Sequence, residues 1–326
     1  MTRRYLVTGG TGFLGSALVR RLVAAGHAVR VLDDNSRGAT HRLAACAGKV
    51  ELIEGDIRNV DAVTKAIKGV DCVVHMAAIN GTEFFYQKPE SVLDVAVRGI
   101  LSVIDGCRAN GVGDLVIASS SEVYQTPNVV PTPEAVPLVV PNVFNPRYSY
   151  GGGKLISELI ALNYGRTGFQ RVVVFRPHNV YGADMGWEHV IPQFALRAAA
   201  ATSGRKGQAV DFAIQGTGLQ TRAFVHIDDF TDGLLRVVEN GRHLTIYNIG
   251  TDEEVGIGDL ARQVVAIFGC TANLRPSEAP AGGTDRRCPD IARLRTLGYA
   301  PKISLAQGLP DVVRWYAENA ERAPAA

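Results

Sequence analysis

Tyr150 and Lys154 stand four residues apart in the segment Asn145-Pro-Arg-Tyr-Ser-Tyr-Gly-Gly-Gly-Lys-Leu-Ile-Ser-Glu158. On a helix this spacing puts both side chains on one face, so a phenol and an ammonium can meet one substrate atom from the same side. Such a pair is suited to acid/base chemistry. Tyrosine titrates near ~10, and a neighbouring ammonium favours the phenolate, which would let Tyr150 take or give a proton near neutral pH. The glycines between them, Gly151 to Gly153, each lose about 1 kcal/mol against alanine inside a helix. A helical placement therefore predicts that a bound cofactor or a partner helix approaches this backbone closely. The alternative is a glycine loop carrying an ordinary surface pair.

Two further groups of residues carry chemistry. Ser119-Ser-Ser-Glu-Val-Tyr124 follows the apolar run 114–118, so Ser120, Ser121 and Glu122 would project from the carboxyl end of a buried strand. Gly9-Gly-Thr-Gly-Phe-Leu-Gly15 lies between an apolar strand at 5–8 and a helical pattern at 17–25, and the next strand, 28–32, ends in Asp33-Asp34-Asn35. This is a dinucleotide-binding order. Glycines let the backbone approach a pyrophosphate, the helix start faces its charge, and the acid at the second strand's end takes the ribose hydroxyls. A carboxylate at Asp33 would repel a 2′-phosphate, which favours NAD over NADP.

The elements that must position these residues alternate. Strands at 50–53, 72–75, 114–118 and 171–175 are separated by helices at 60–67, 90–110 and around Tyr150, a pattern that predicts an α/β fold with a doubly wound parallel sheet. After Pro177 the rhythm loosens into helix 191–201, strand 210–214 and helices 258–268 and 304–320. The expected division is a dinucleotide-binding domain over 1–177, with 223–250 returning to it, and a smaller α/β C-terminal substrate-binding domain from 178–222 and 251–326.

Composition narrows the classes. The 326 residues carry 34 basic and 32 acidic side chains, well mixed, so no basic face for nucleic acid is expected. Cysteines at 46, 72, 107, 270 and 288 show neither metal-ligand spacing nor a paired framework, which predicts no metal and a reducing, cytoplasmic setting. The amino terminus runs straight into a strand pattern without a signal sequence, and no apolar run is long enough to span a membrane.

Taken together, Thr8 to Gly15, the Ser120/Tyr150/Lys154 set, His75-Met-Ala-Ala78, Arg176-Pro-His-Asn-Val-Tyr-Gly182, Gly216-Thr-Gly-Leu-Gln-Thr-Arg222, Tyr247-Asn-Ile-Gly250 and Leu297-Gly-Tyr299 resemble the extended short-chain dehydrogenase/reductase family. The likeness is to its NAD-dependent nucleotide-sugar epimerases and dehydratases, and it implies a Rossmann sheet. It implies that Gly9, Gly12, Phe13 and Leu14 hold the pyrophosphate, and that Asp33, Asp34 and Asn35 serve the adenosine ribose. Asp56 and Ile57 would meet the adenine, while Ala77, Ala78, Lys154, Tyr150 and Pro177 would line the nicotinamide side. Ser120 falls on the active-site Ser/Thr and Tyr150 on the acid/base. Asn179 and Arg222 match diphosphate contacts, and Arg287 lies near the sugar or phosphate.

Within that group the resemblance implies hydride transfer from sugar C4, most simply in an NAD-retaining 4-epimerase similar to UDP-glucose 4-epimerase. Dehydratases carry an Asp-Glu pair where this chain has Ser121-Glu122, without the aspartate, and the Ser-Ser-Glu-Val-Tyr wording is closer to uronate decarboxylases. Gly186-Trp-Glu-His189-Val190 looks like GDP-mannose 3,5-epimerase, in which Glu122 and His189 would fall on catalytic positions; otherwise His189 would hydrogen-bond a phosphate. A non-catalytic NAD-binding protein is the alternative from another class. Ala96 and Gln125 replace a common asparagine and glycine. The resemblance also implies a homodimer packed through the 90–110 and 150–166 helices, with a nucleotide-diphosphate sugar as substrate.

Overall fold

The computed structural model describes residues 2–278 and 284–323. Residues 279–283 and 324–326 of the expected substrate-side region thus lie outside the described residues. Seven parallel strands form the central sheet, in the order Thr245–Ile249, Arg171–Pro177, Asp114–Ala118, Cys72–His75, Arg4–Thr8, Ala28–Asp33, Val50–Glu54. The register runs straight across its centre: Val7 pairs with Val31 and Val74, Val74 with Val116, and Val116 with Val173. Helices cover both faces, so the central strands Cys72–His75 and Asp114–Ala118 are buried, largely apolar runs without polar alternation, while the edge strand Val50–Glu54 is partly exposed.

On one face Val60–Ile67, Pro89–Ala109 and Ser149–Tyr164 bury Val63, Ile104 and Ala161 against Leu6, Val73 and Leu115. Phe13–Ala24 and Ile227–Asn240 cover the other face through Leu18, Leu22, Phe230 and Leu234. The chain extends the sheet one way from Arg4–Thr8 and then, at Cys72–His75, the other way. That reversal opens a crevice beyond the carboxyl ends of these two strands, where open α/β sheets take ligands.

A second core lies on that side. Helices Val190–Thr202, Ile257–Ile267 and Leu305–Glu318 enclose Phe194, Val264, Val313 and Tyr316 against the parallel pair Ala209–Gln215 and Thr271–Ser277. The last of these helices starts in a reciprocal cap between Ser304 and Gln307. Ile291, Leu294 and Tyr299 pack back into the first core. Among the described residues no helix is long and apolar enough to cross a membrane, and all five cysteines are buried and unpaired.

The structure differs from the sequence reading at several elements, among them the unexpected helix Thr82–Gln87 and sheet strand Thr245–Ile249. The first helix starts at Phe13, ahead of the expected 17, because the glycines that precede it hide the apolar period. Helix Ile227–Asn240 was not expected; Asp228 and Asp229 supply its acidic first turn, and His226 accepts a hydrogen bond from the Asp228 amide at its cap. The strand Thr271–Ser277 was also missed, since it is largely exposed and carries little apolar signal.

Candidate active site

A cleft of about 710 Å³ opens at the switch point, within the usual size of cofactor and ligand clefts. Of the residues expected to serve catalysis, cofactor or substrate, all but Asn35 and Arg222 line it. Its floor is the glycine turn. Gly9 has φ +71°, and a Cβ there would stand 2.8 Å from the Ala77 amide nitrogen; one on Gly15 would stand 2.1 Å from the Gly9 carbonyl oxygen. Only glycine fits both positions. Gly12 caps the helix Phe13–Ala24 without a side-chain hydrogen bond, which leaves the first amides of that helix for an anion.

Asp33 is almost fully buried, and its carboxylate accepts from the Thr11 amide (2.9 Å) and the Asn35 amide (3.0 Å). Asn35 itself, at φ +56°, accepts from the Thr11 hydroxyl at 3.0 Å, bracing the turn and the strand end together. An oriented carboxylate beside uncapped helix amides fits a dinucleotide with free ribose hydroxyls. Asp33→Ala is expected to lower the preference for NAD over NADP by about tenfold or more, about 1.4 kcal/mol. Fluorescence titration with both dinucleotides checks this; an unchanged ratio contradicts it.

Tyr150 lies in the first turn of helix Ser149–Tyr164, with all three glycines inside it. Neighbouring protein explains two of them. A Cβ on Gly153 would come 3.0 Å from Ala96 on the helix Pro89–Ala109, and one on Gly151 would come 2.5 Å from Gln125 and 3.0 Å from the Glu122 carbonyl. Gln125 has φ +51°, a conformation that glycine adopts freely, and its amide donates to the Glu122 carbonyl oxygen at 2.6 Å.

Lys154 Nζ donates to the Ala118 carbonyl oxygen at 2.8 Å and lies 5.9 Å from the Tyr150 ring centre. Burial lowers its pKa to about 8 against the opposing charge of Glu158. Burial pushes the Tyr150 phenol up to about 12; a hydrogen bond with Ser120 works against this and the charge of Glu122 adds to it. The expected depression of Tyr150 by Lys154 is therefore not found. The ammonium points at a carbonyl, and the phenol stays protonated through the neutral range.

Glu122 gives the site its charge. Burial raises its pKa, but the charge and hydrogen bond of Arg287, followed by the charges of Arg147 and Arg222, outweigh burial and hold it below the usual carboxylate range. Arg222 is half-buried beside Arg287 on the paired strands Thr221–Ala223 and Arg286–Arg287. Burial and then the Arg287 charge lower its pKa to about 10. Arg287 Nη2 donates to the Thr284 hydroxyl at 3.0 Å, while its Nε and the Nε of Arg147 are buried without partners among the described residues. Arg147 was missed in the sequence. Its position three residues before Tyr150, on the turn Pro146–Tyr148 that leads into the helix, was the available signal. His189 precedes helix Val190–Thr202 at the cleft wall, and burial lowers its pKa against Glu188, so its imidazole is neutral at pH 7.

Beneath this layer runs a buried polar network that the sequence reading did not contain. Arg176 donates to both oxygens of Glu158 (2.8 and 2.6 Å) and to the Tyr124 hydroxyl (2.6 Å), and Tyr124 donates to Asn248 Oδ1 (2.7 Å). Glu158 also accepts from Ser119, the residue before Ser120.

Residues 5–250 match the model of the NAD dependent epimerase/dehydratase family. The chain is 32% identical to a dTDP-4-dehydro-6-deoxy-D-allose reductase of Streptomyces bikiniensis, covering 96% of each. It is 28% identical to a UDP-N-acetyl-alpha-D-glucosaminuronate decarboxylase of Bacillus cytotoxicus, covering 98% of this chain and 99% of that one. Among solved structures, a dTDP-glucose 4,6-dehydratase from Streptomyces venezuelae with NAD bound superposes with a TM-score of 0.86 at 31% identity over 98% of both chains. With a Rossmann-like sheet, a dinucleotide cleft and these relatives, the chain belongs to the NAD-dependent epimerase/dehydratase family of nucleotide-sugar-modifying enzymes.

Proposed function

We propose that the protein oxidises a nucleotide-diphosphate hexuronate at C4 and releases its carboxyl group as CO2. The observation that carries this reading is the ionised Glu122 held by Arg287, with Arg147 and Arg222 close by, in the layer that contains Tyr150. Arg287 pairs with Glu122, and the charges of Arg147 and Arg222 behind it leave the site positive, which favours a sugar carboxylate and a diphosphate. The chain similarity to a uronate decarboxylase supports the same reading. The 4-epimerase expected from the sequence needs only Ser120, Tyr150 and Lys154, and leaves the Glu122–Arg287 pair without a task. Dehydration needs an acid for the leaving hydroxyl; Ser121 stands where the aspartate would be, and Glu122 is ionised.

In this account Tyr150 takes the C4 hydroxyl proton, and Ser120 donates a hydrogen bond to the oxygen as charge develops. NAD, when bound, supplies the hydride acceptor and a positive charge that favours the phenolate. The resulting ketone lies β to the carboxylate. As the C5–C6 bond breaks and CO2 leaves, its electron pair moves to the C4 oxygen, which Tyr150 and Ser120 stabilise. C5 would then be protonated from solvent, Tyr150 would give its proton back to the C4 oxygen, and C4 would recover its hydride from the reduced cofactor, leaving NAD unchanged overall. Arg287 orients the carboxylate, while Asn179 and the helix start at His189 and Val190 meet the diphosphate, with the charges of Arg147 and Arg222 adding to the attraction from behind the cleft wall.

Incubation with UDP- and dTDP-linked uronates and a CO2-coupled assay tests the proposal. The expected outcome is one CO2 per turnover, with Arg287→Lys slower by about 100-fold through loss of the fixed guanidinium fork. A product inverted at C4 without CO2 would instead support the epimerase. The two cores support a cofactor-side and a substrate-side domain, but not the expected placing of all of 251–326 in the latter, since Ile291, Leu294 and Tyr299 pack in the first core. Exposed Leu93, Ile156, Leu159 and Tyr164 on the Pro89–Ala109 and Ser149–Tyr164 helices support a homodimer through those faces.

A further inference from the structure

Two ion pairs join the cofactor side of the cleft to its sugar side. The segment after Asp33 carries Arg37 and Arg42, both lining the cleft, and the segment 184–189 lines the opposite wall with Met185, Gly186 and His189. Arg42 is largely buried and grips Asp184 with a fork: Nε to Oδ2 at 2.8 Å and Nη2 to Oδ1 at 3.1 Å, with Nη2 also donating to the Asp184 carbonyl oxygen at 2.9 Å. The same guanidinium donates through Nη1 to the Thr11 carbonyl oxygen of the glycine turn at 3.3 Å. At the rim, Arg37 Nη2 pairs with Glu188 Oε1 at 2.5 Å while its guanidinium lies 4.4 Å from the Phe84 ring centre.

These contacts hold a strained backbone in place. Asp184 has φ +59°, in the left-handed region that non-glycine residues seldom adopt. His41 adds a third contact to its carboxylate at 3.0 Å. The next residue, Met185, accepts at its carbonyl from the Tyr316 hydroxyl at 2.8 Å, which anchors the segment to the second core. The wall that carries His189 is therefore tied to the pyrophosphate turn by side chains more than a hundred residues away in sequence.

We propose that Arg42–Asp184 and Arg37–Glu188 form a clasp that governs how long NAD stays in the cleft between turnovers, with Arg42 and Asp184 as positioning residues that fix the sugar-side wall against the cofactor turn. The proposal rests on NAD dependence and is independent of the fate of the sugar. Asp184→Asn suits the test because asparagine tolerates the left-handed backbone while giving up the charge. NAD carrying an ethenoadenine ring is loaded, and its release is followed by fluorescence on adding excess unlabelled NAD.

Asp184→Asn is expected to speed release by about tenfold with association unchanged, since a charge-assisted fork becomes a neutral contact. Arg37→Gln and Glu188→Gln should each speed release by about two- to fivefold, and less at high salt because this pair is partly exposed. The exchange Arg37→Glu with Glu188→Arg should restore slow release, which a merely structural role for either residue would not predict. Release within about twofold of wild type in Asp184→Asn overturns the proposal. So does weaker NAD binding that arises from slower association alone, which would make these side chains simple cofactor contacts.

Discussion

Tyr150→Phe is expected to lower kcat by about 10³-fold or more while NAD remains bound, because it removes the proton acceptor without removing the ring. The ring is fixed independently of its hydroxyl: Phe85 stacks on it at 4.9 Å with the planes 9° apart. The hydroxyl pairs with Ser120, so its loss leaves no buried charge and the fold should survive. Burial holds the phenol at about 12, so at neutral pH the catalytic form depends on the positive charge that the cofactor brings to the site. Turnover in the variant, measured together with the NAD content of the purified protein, checks this. An activity within about tenfold of wild type would place the proton acceptor elsewhere.

The second large effect is on stability. Arg176→Met should destabilise the protein by about 3–5 kcal/mol, because it strands the Glu158 carboxylate in the interior. Arg176 is 1% exposed and Glu158 3%. Arg176 holds Glu158 through two hydrogen bonds and holds the Tyr124 hydroxyl and the Glu134 carbonyl through two more. Replacing both charges, as Arg176→Met with Glu158→Met, should recover much of the loss. Urea unfolding of the two variants and the wild type checks both statements; a single variant within about 1 kcal/mol of wild type contradicts the first. The network also has a functional side. Glu158 binds Ser119 and opposes the loss of charge on Lys154, so it steadies the strand end that carries Ser120.

What the sequence revealed follows from local chemistry. The glycine turn and Asp33 were readable because the glycines and the acid carry their own constraints, and the inner sheet strands because buried parallel strands are unbroken apolar runs; the edge strand Thr245–Ile249, broken by Asn248, was not read. Helix Ile227–Asn240 was hidden by its polar first turn and by Gly233, where a Cβ would stand 3.0 Å from both Ile249 and Tyr299. The Tyr150–Lys154 spacing correctly put both residues on one helix. It said nothing about where the ammonium points, and that direction belongs to the Ala118 carbonyl. Arg147 and the two ion pairs across the cleft were beyond local reading, because their meaning comes from partners far along the chain.

The most direct test of the account is proton NMR of turnover in deuterated water with a nucleotide-linked hexuronate. Decarboxylation through a C4 ketone predicts a nucleotide-linked pentose with one deuterium on the carbon that carried the carboxylate and none at C4. A product that keeps its carboxylate, is inverted at C4 and carries no carbon-bound deuterium would contradict it, and would leave Glu122 and Arg287 as binding groups of a 4-epimerase.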